Sequence, residues 1–323
     1  MSSLRYAVIG TGAIGGYFGG RLAQAGCDVH FLLRSDYERV RKEGLVVESV
    51  DGDFTLNRIN AYDDSADMPP VDVVLIALKT THNHQLADLL PPMKSDSAVV
   101  CLQNGWDVEK AIAQHIKEKK GLEPEIIGGL CFIYANKPNP GHIEHLGYGK
   151  LLLGAYDEKG RVPAVTPTIE AIAADFSRAN IAVETTEDLP MARWRKLVWN
   201  VPYNSLSVIL DATTGEMMAD SGVRSLIETL MREVVAIANA WGDRASPGKE
   251  RHIEQSFIQQ MLDITAEVSS YRTSMKVDYD NQKRLEIEAI LENPLRAAKA
   301  LEVAVPAMTM LYQQLSFLNQ QLR

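Results

Sequence analysis

A short apolar run, Tyr6-Ala7-Val8-Ile9, is cut off by Gly10-Thr11-Gly12-Ala13-Ile14-Gly15, and a helical pattern follows from Ile14 to Ala25. Few features restrict a fold so tightly. A strand, a G-x-G-x-x-G turn and a helix in immediate succession open a doubly wound α/β unit. Each glycine meets a separate demand. Gly10 permits the tight turn, Gly12 lets the backbone approach a pyrophosphate, and Gly15 lets the helix pack close to the strand. The helix N-terminus adds unpaired N–H groups and a partial positive charge, both suited to phosphates. A glycine-rich packing motif, extended by Gly16, Gly19 and Gly20, uses the same residue type. The strand-turn-helix context favours a dinucleotide over that reading.

The segments that follow keep alternating. Val29 to Leu33 reads as a second strand, and Ser35 is placed to cap a helix running to about Glu43. Leu45 to Ser49 and Phe54 to Ile59 read as two strands joined by an Asp51-Gly52 turn. Val71 to Leu78 is almost wholly apolar, as in a parallel strand covered on both faces. Ala98 to Leu102 repeats the pattern before a helix over 106–117. Strands are expected over 126–134, 142–145 and 150–153. Beyond Glu187, helix-forming sequence dominates: 190–210, 221–240, 249–268, 280–300 and 306–321. A chain of 323 residues suffices for two cores. The expectation is an α/β protein with a Rossmann-like dinucleotide-binding domain over 1–187 and an all-α domain over 188–323.

Polar residues at strand ends refine this. An Asp or Glu closing the second strand would hold the ribose 2′-hydroxyl of NAD, but the chain reads Leu32-Leu33-Arg34-Ser35. Arg34 suits a 2′-phosphate, so NADP(H) is expected over NAD(H), with Asp36 the one residue that weakens the case. Lys79 closes the Val71–Leu78 run, and Asn104 follows Gln103 at the end of the next, where ligands gather in open α/β sheets. Asn104-Gly105 is also an ordinary turn dipeptide.

In the helical half, Lys196, Asn200 and Asn204 fall four positions apart and share one helix face. Leu197, Val198, Trp199 and Val201 flank them, and polar groups amid apolar ones are costly to bury without a partner. Pro202 inside that helix removes one N–H and is expected to kink it.

Bulk properties exclude several classes. A net charge of −9 argues against nucleic-acid or anionic-membrane binding, and no run is long enough to span a bilayer. Three scattered cysteines, Cys27, Cys101 and Cys131, make no disulfide framework. No Cys, Asp or Glu spacing completes a metal site around His82/His84 or His142/His145. Met1 to Arg5 leads straight into a strand without an apolar leader, so a cytoplasmic setting is expected.

These segments together resemble the ketopantoate reductase family over nearly the whole chain. The resemblance rests on Gly10 to Gly15, Leu78-Lys79, Gln103 to Gly105, the Trp-Arg-Lys-Leu-x-x-Asn-x-x-x-Asn run from Trp194 to Asn204, Gly215-Glu216, Ser274-Met275 and Glu286-Ile287. It implies NADPH-dependent reduction of ketopantoate (2-dehydropantoate) to (R)-pantoate in pantothenate synthesis, at a site in the cleft between the two domains. By resemblance Lys196 is the catalytic lysine and general acid. Asn200, Asn204 and Ser274 hold the substrate, Glu286 sits at the nicotinamide end, and Arg34, Lys79 and Asn104 contact the cofactor. Thr214 stands where some members carry a substrate-binding Asn, and Glu288 offers a second carboxylate beside Glu286. The Gly-Arg-x-Thr lead-in of many members is missing before Glu286. These departures bear on the substrate, so a paralogous reductase of another short 2-keto acid is the alternative, and a non-catalytic NADP sensor a third reading. The partner expected is a small 2-keto acid, with the chain a monomer or homodimer.

Overall fold

Alternating apolar segments gather into one sheet. The structure is a computed structural model and describes residues 4–159, 162–247, 251–267 and 271–322. Among these the strands are β1 (Arg5–Ile9), β2 (Asp28–Leu32), β3 (Leu45–Ser49), β4 (Phe54–Leu56), β5 (Asn60–Tyr62), β6 (Val71–Ile76), β7 (Met93–Cys101), β8 (Glu125–Asn139), β9 (His142–Ala155) and β10 (Val183–Thr186). Their order is β4-β3-β9-β8-β7-β6-β1-β2-β5, with β10 beside β9. All pairings are parallel except β3–β4 and β8–β9. The helices are α1 (Ala13–Gln24), α2 (Tyr37–Glu43), α3 (Leu86–Leu89), α4 (Val108–Lys120), α5 (Pro167–Arg178), α6 (Leu189–Ile209), α7 (Thr214–Ala219), α8 (Ser221–Ala245), α9 (Ser256–Ala266), α10 (Ser274–Asp280), α11 (Asn293–Ala300) and α12 (Pro306–Gln320).

The chain forms two compact units. One comprises 4–103, 108–158 and 162–189; the other takes in 104–107 and runs from 190 onward. The first has its core around Val8, Phe18, Phe31, Leu75 and Val100 on the sheet and α1. The second is helical, built on Trp194, Val198, Leu230, Val234 and Leu311.

Several elements differ from the sequence reading for identifiable reasons. Ser35 does not cap α2. Its hydroxyl donates to Asp36 Oδ1 at 3.0 Å, and the helix opens at Tyr37 without a side-chain cap. The three expected strands over 126–153 form one long hairpin, β8–β9, whose register shifts near Phe132 and Tyr134. Tyr148 (φ +61°) and Gly149 (φ +110°) bulge β9 without ending it and break the alternation that would have shown it as one strand. α5 is an unexpected helix. Its start is marked in the sequence, because Thr166 caps Ile169 N–H at 3.2 Å and Pro167 occupies the first turn. The helix expected over 249–268 is observed only as α9, because 251–255 are not helical, and 249, 250 and 268 lie outside the described residues.

The expected helix over 280–300 is broken. α10 ends at Asp280, and a π-helical turn, Glu288–Glu292, leads into α11. Pro294 has no N–H for the carbonyl one turn back, which favours a widened turn just before it. Pro202, by contrast, does not end α6, which is helical from Leu189 to Ile209. No helix among the described residues is long and apolar enough to cross a membrane.

Candidate functional site

The glycine turn sits between β1 and α1. Gly10 adopts φ +99°, and a Cβ there would lie 2.5 Å from Leu78 N. A Cβ on Gly15 would lie 2.3 Å from Gly10 O, so α1 can approach its own turn only with glycine at this point. A Cβ on Gly12 would meet nothing within 4 Å, which leaves open space over the turn. Gly12 caps α1 without a side-chain hydrogen bond, so the first-turn N–H groups of Ala13 and Ile14 carry no capping side chain. Thr11 turns its hydroxyl inward, donating to Leu32 O at 2.9 Å.

Arg34, just beyond β2, is exposed and makes no ion pair among the described residues. Asp36, the nearest acid in sequence, is turned away. It is 3% exposed, and its carboxylate accepts from Lys137 Nζ at 2.8 Å, Gly141 N–H at 2.9 Å and Ser35. Burial opposes ionisation of this carboxyl, but these donors outweigh it and hold the pKa below the usual carboxylate range.

Lys79 is half-buried at the start of a 3-10 turn, Thr80–Gln85. Gln103 is buried at the end of β7 and exchanges two amide hydrogen bonds with Asn83, at 2.6 and 3.2 Å, while also donating to Leu78 O at 2.9 Å. This brace fixes the two strand ends that carry Lys79 and Asn104. Asn104 itself begins the four-residue passage through the helical unit. Its Oδ1 is buried without a hydrogen-bond partner.

In that passage Trp106 stacks on Trp194 with centroids 4.2 Å apart, and its N–H donates to Ala289 O at 2.8 Å. On α6, Lys196 is partly buried, while Asn200 and Asn204 are buried at 6% and 2% exposure. Asn204 Oδ1 has no hydrogen-bond partner. An unsatisfied buried acceptor costs about 1–3 kcal/mol. Trp194 Nε1 and Ser205 Oγ on the same helix share that condition, so being orphaned does not by itself mark a ligand group. Asn204 differs from them in its alignment with Lys196 and Asn200.

Ser274 opens α10 and is partly exposed. Asp278, one turn on, is buried, and the i, i+4 spacing puts it on the same face. Glu286 is buried at 6% exposure, whereas Glu288 is exposed and faces Arg296 at 3.5 Å. Of the two carboxylates, Glu286 is the internal one. Thr214 is fully buried, and its N–H donates to Tyr271 O at 3.1 Å with its hydroxyl 3.4 Å from the same oxygen.

Glu48, His142 and Glu144, distant in sequence, meet on adjacent strands with ligand-type atoms within 4.8 Å of one another. His142 Nε2 lies 3.3 Å from Glu48 Oε1 across the adjacent strands.

Two profiles of known families cover most of the chain: ketopantoate reductase PanE/ApbA over residues 6–158, and its C-terminal domain over 188–319. The chain belongs to the ketopantoate reductase family. It is 51% identical to a 2-dehydropantoate 2-reductase of Nostoc sp. over 320 residues, spanning 99% of this chain and 96% of that one. The crystal structure of 2-dehydropantoate 2-reductase from Geobacter metallireducens superposes with a TM-score of 0.89 at 37% identity, covering 97% of this chain and 99% of its own. That from Methylococcus capsulatus gives 0.83 at 31%, with 98% and 97% covered. As a ketopantoate reductase family member the chain is an oxidoreductase with a dinucleotide-binding fold.

Sequence reasoning missed the braces around these residues. The Asn83–Gln103 exchange and the turning away of Asp36 depend on partners 20 and about 100 positions distant, which no local spacing reveals. Asp278 was legible as the i+4 neighbour of Ser274.

Proposed function

We propose that this chain reduces 2-dehydropantoate to (R)-pantoate with NADPH. The observation that carries the reading is the Lys196-Asn200-Asn204 stripe, two of its amides buried on one helix, in a chain 51% identical to a 2-dehydropantoate 2-reductase along 99% of its length.

The glycine turn fits a dinucleotide. Its open face above Gly12 and the uncapped start of α1 are what a pyrophosphate needs. The preference for a 2′-phosphate rests on Arg34, exposed and unpaired, together with an Asp36 whose carboxylate is fully engaged elsewhere. The reservation that Asp36 raises in sequence is thereby reduced. Lys79 and Asn104, at the strand ends that Gln103 braces, complete the proposed cofactor contacts, and the family resemblance assigns the buried Glu286 to the nicotinamide end.

Bound NADPH supplies the hydride that adds to C2 of the keto acid. Lys196, as the ammonium, stabilises the negative charge that develops on the C2 oxygen and gives it a proton; solvent then restores the lysine. Asn200, Asn204 and Ser274 hold the hydroxyl, keto and carboxylate groups. Amides do this without placing charge beside the carboxylate, and the orphaned Asn204 Oδ1 is an acceptor suited to the substrate hydroxyl. Thr214 differs from the other three, because its backbone and hydroxyl both turn to Tyr271 O. That observation keeps open a second reading, reduction of another short 2-keto acid.

Steady-state kinetics over a panel of 2-keto acids, each with NADPH and NADH, tests the proposal. The expected result is the highest kcat/KM for ketopantoate with NADPH. A much higher value for another keto acid would replace the substrate, and cofactor binding without turnover of any keto acid would favour a sensor.

A further inference from the structure

The proposed substrate residues lie on separate helices, Asn204 on α6 and Ser274 on α10. Between them runs a chain of hydrogen bonds in which every proton can be assigned. Ser207 and Thr273 are both wholly buried, and their hydroxyl oxygens lie 2.7 Å apart. Ser207 has one hydroxyl proton and gives it to Asn204 O at 3.0 Å, since a carbonyl can only accept. The proton between the two hydroxyls is therefore Thr273's. Thr273 Oγ1 accepts in turn from Lys276 N–H at 3.2 Å, capping α10. The order is Lys276 N–H to Thr273, Thr273 to Ser207, Ser207 to the backbone of Asn204. One end of this chain is the peptide of Asn204, and the other is the cap immediately before Ser274.

A second fastening works on the same two helices. Lys276 is 3% exposed, and its ammonium bonds Asp280 on its own helix and Asp211, just past the end of α6, at 2.6 Å. α10 is thus pinned to the end of α6 by a buried hydroxyl pair and by an ion pair. Both hydroxyls are shielded from bulk solvent, which strengthens the bond between them.

We propose that Ser207 and Thr273 are positioning residues that set the distance between Asn204 and Ser274, and so the fit of the keto acid. This rests on the reading that Asn204 and Ser274 hold that substrate. Each hydroxyl spends its one proton inside this chain, and both are wholly buried, so both act through their neighbours.

The test compares Thr273→Val, Thr273→Ser, Ser207→Ala and the double variant Ser207→Ala/Thr273→Val in the full-length protein. KM and kcat are measured for ketopantoate at saturating NADPH, with NADPH affinity by fluorescence titration. Val keeps the volume of Thr and loses both hydrogen bonds; Ser keeps the bonds and loses a methyl group. The expected result is a loss of about 10- to 100-fold in kcat/KM for Thr273→Val, carried mainly by KM, as a small misplacement of binding groups produces. Thr273→Ser should recover to within about twofold, NADPH affinity should stay level, and the double variant should be no worse than the poorer single one.

Equal losses for Val and Ser would overturn the proposal, because packing and not the hydrogen-bond chain would then be at work. Strictly additive losses in the double variant would overturn it too. Should Thr273→Val fail to fold, Ser207→Ala decides, since it leaves the α10 cap in place; an unchanged KM there refutes the role. Asn204→Ala and Ser274→Ala serve as controls. If they raise KM and Thr273→Val does not, only this inference fails; if they leave KM unchanged, the substrate reading itself fails.

Discussion

Lys196 stands at the more exposed end of a stripe whose two amides are buried, and an ammonium there is what the proposed proton transfer needs. A general acid contributes about 10²–10⁴-fold to rate. Lys196→Ala should therefore lower kcat by about that factor while NADPH affinity changes little, because the lysine is not among the proposed cofactor contacts. Turnover at the level of the parent protein would remove Lys196 from the mechanism. For the proposed 2′-phosphate contact the corresponding residue is Arg34, with no ion pair to a carboxylate among the described residues. Arg34→Ala should weaken NADPH much more than NADH, and equal losses by the two cofactors would rule out a 2′-phosphate contact. These residues were legible in sequence because each occupies a position defined locally, at a strand end or at helical spacing. Whether Glu286 or Glu288 is internal was not legible, since both follow a break that only the folded chain shows.

That break is an element-scale feature. The sequence over 280–300 reads as helix apart from Pro294, yet the chain makes a π-helical turn before that proline and leaves Ala289 O to accept from Trp106 N–H at 2.8 Å. Asn293 Nδ2 donates to Trp106 O at 2.9 Å, so the passage Asn104–Asp107 is held through both backbone polar groups of Trp106. Gly105 makes the approach feasible. It adopts φ +116°, and a Cβ there would lie 2.5 Å from Ala289 Cβ and 2.6 Å from Ala289 O. Gly105→Ala should cost about 1–3 kcal/mol in overpacking and about 1–3 kcal/mol more in backbone strain, measurable as a lowered denaturation midpoint. A midpoint within experimental error of the parent would mean that the contact yields freely. The same lesson applies to β8–β9, where Tyr148 and Gly149 disguise one hairpin as separate strands. Period and propensity report regular elements well, and miss the irregular turns through which distant segments meet.

At the scale of the whole molecule, acid sensitivity should belong to the first unit. His145 on β9 is 2% exposed, with Nδ1 2.8 Å from Ser49 Oγ and 3.7 Å from Asp51 Oδ2, and with Nε2 lacking a hydrogen-bond partner. Burial pushes its pKa below the ordinary histidine value, and the nearby Asp51 only partly offsets this. His30 on β2 is shifted the same way, again chiefly by burial and against the pull of Asp28. The sign follows from linkage. Below about pH 6.5, the unperturbed histidine value, the unfolded chain takes up protons that the folded unit does not, so folding stability declines as pH falls towards the lowered folded values. Above that pH the two histidines contribute no slope. The thermal midpoint should therefore be flat from pH 8 to about 7 and decline from about 6.5 to 5.5. His145→Gln removes one of the two titrating groups and should flatten the decline. If the two units melt separately, the acid-sensitive transition should be that of the sheet, because both histidines lie in it. A variant with an undiminished slope would show that His145 takes its proton in the folded state as readily as in the unfolded one, which its burial beside Tyr17, at a 4.4 Å ring separation, argues against.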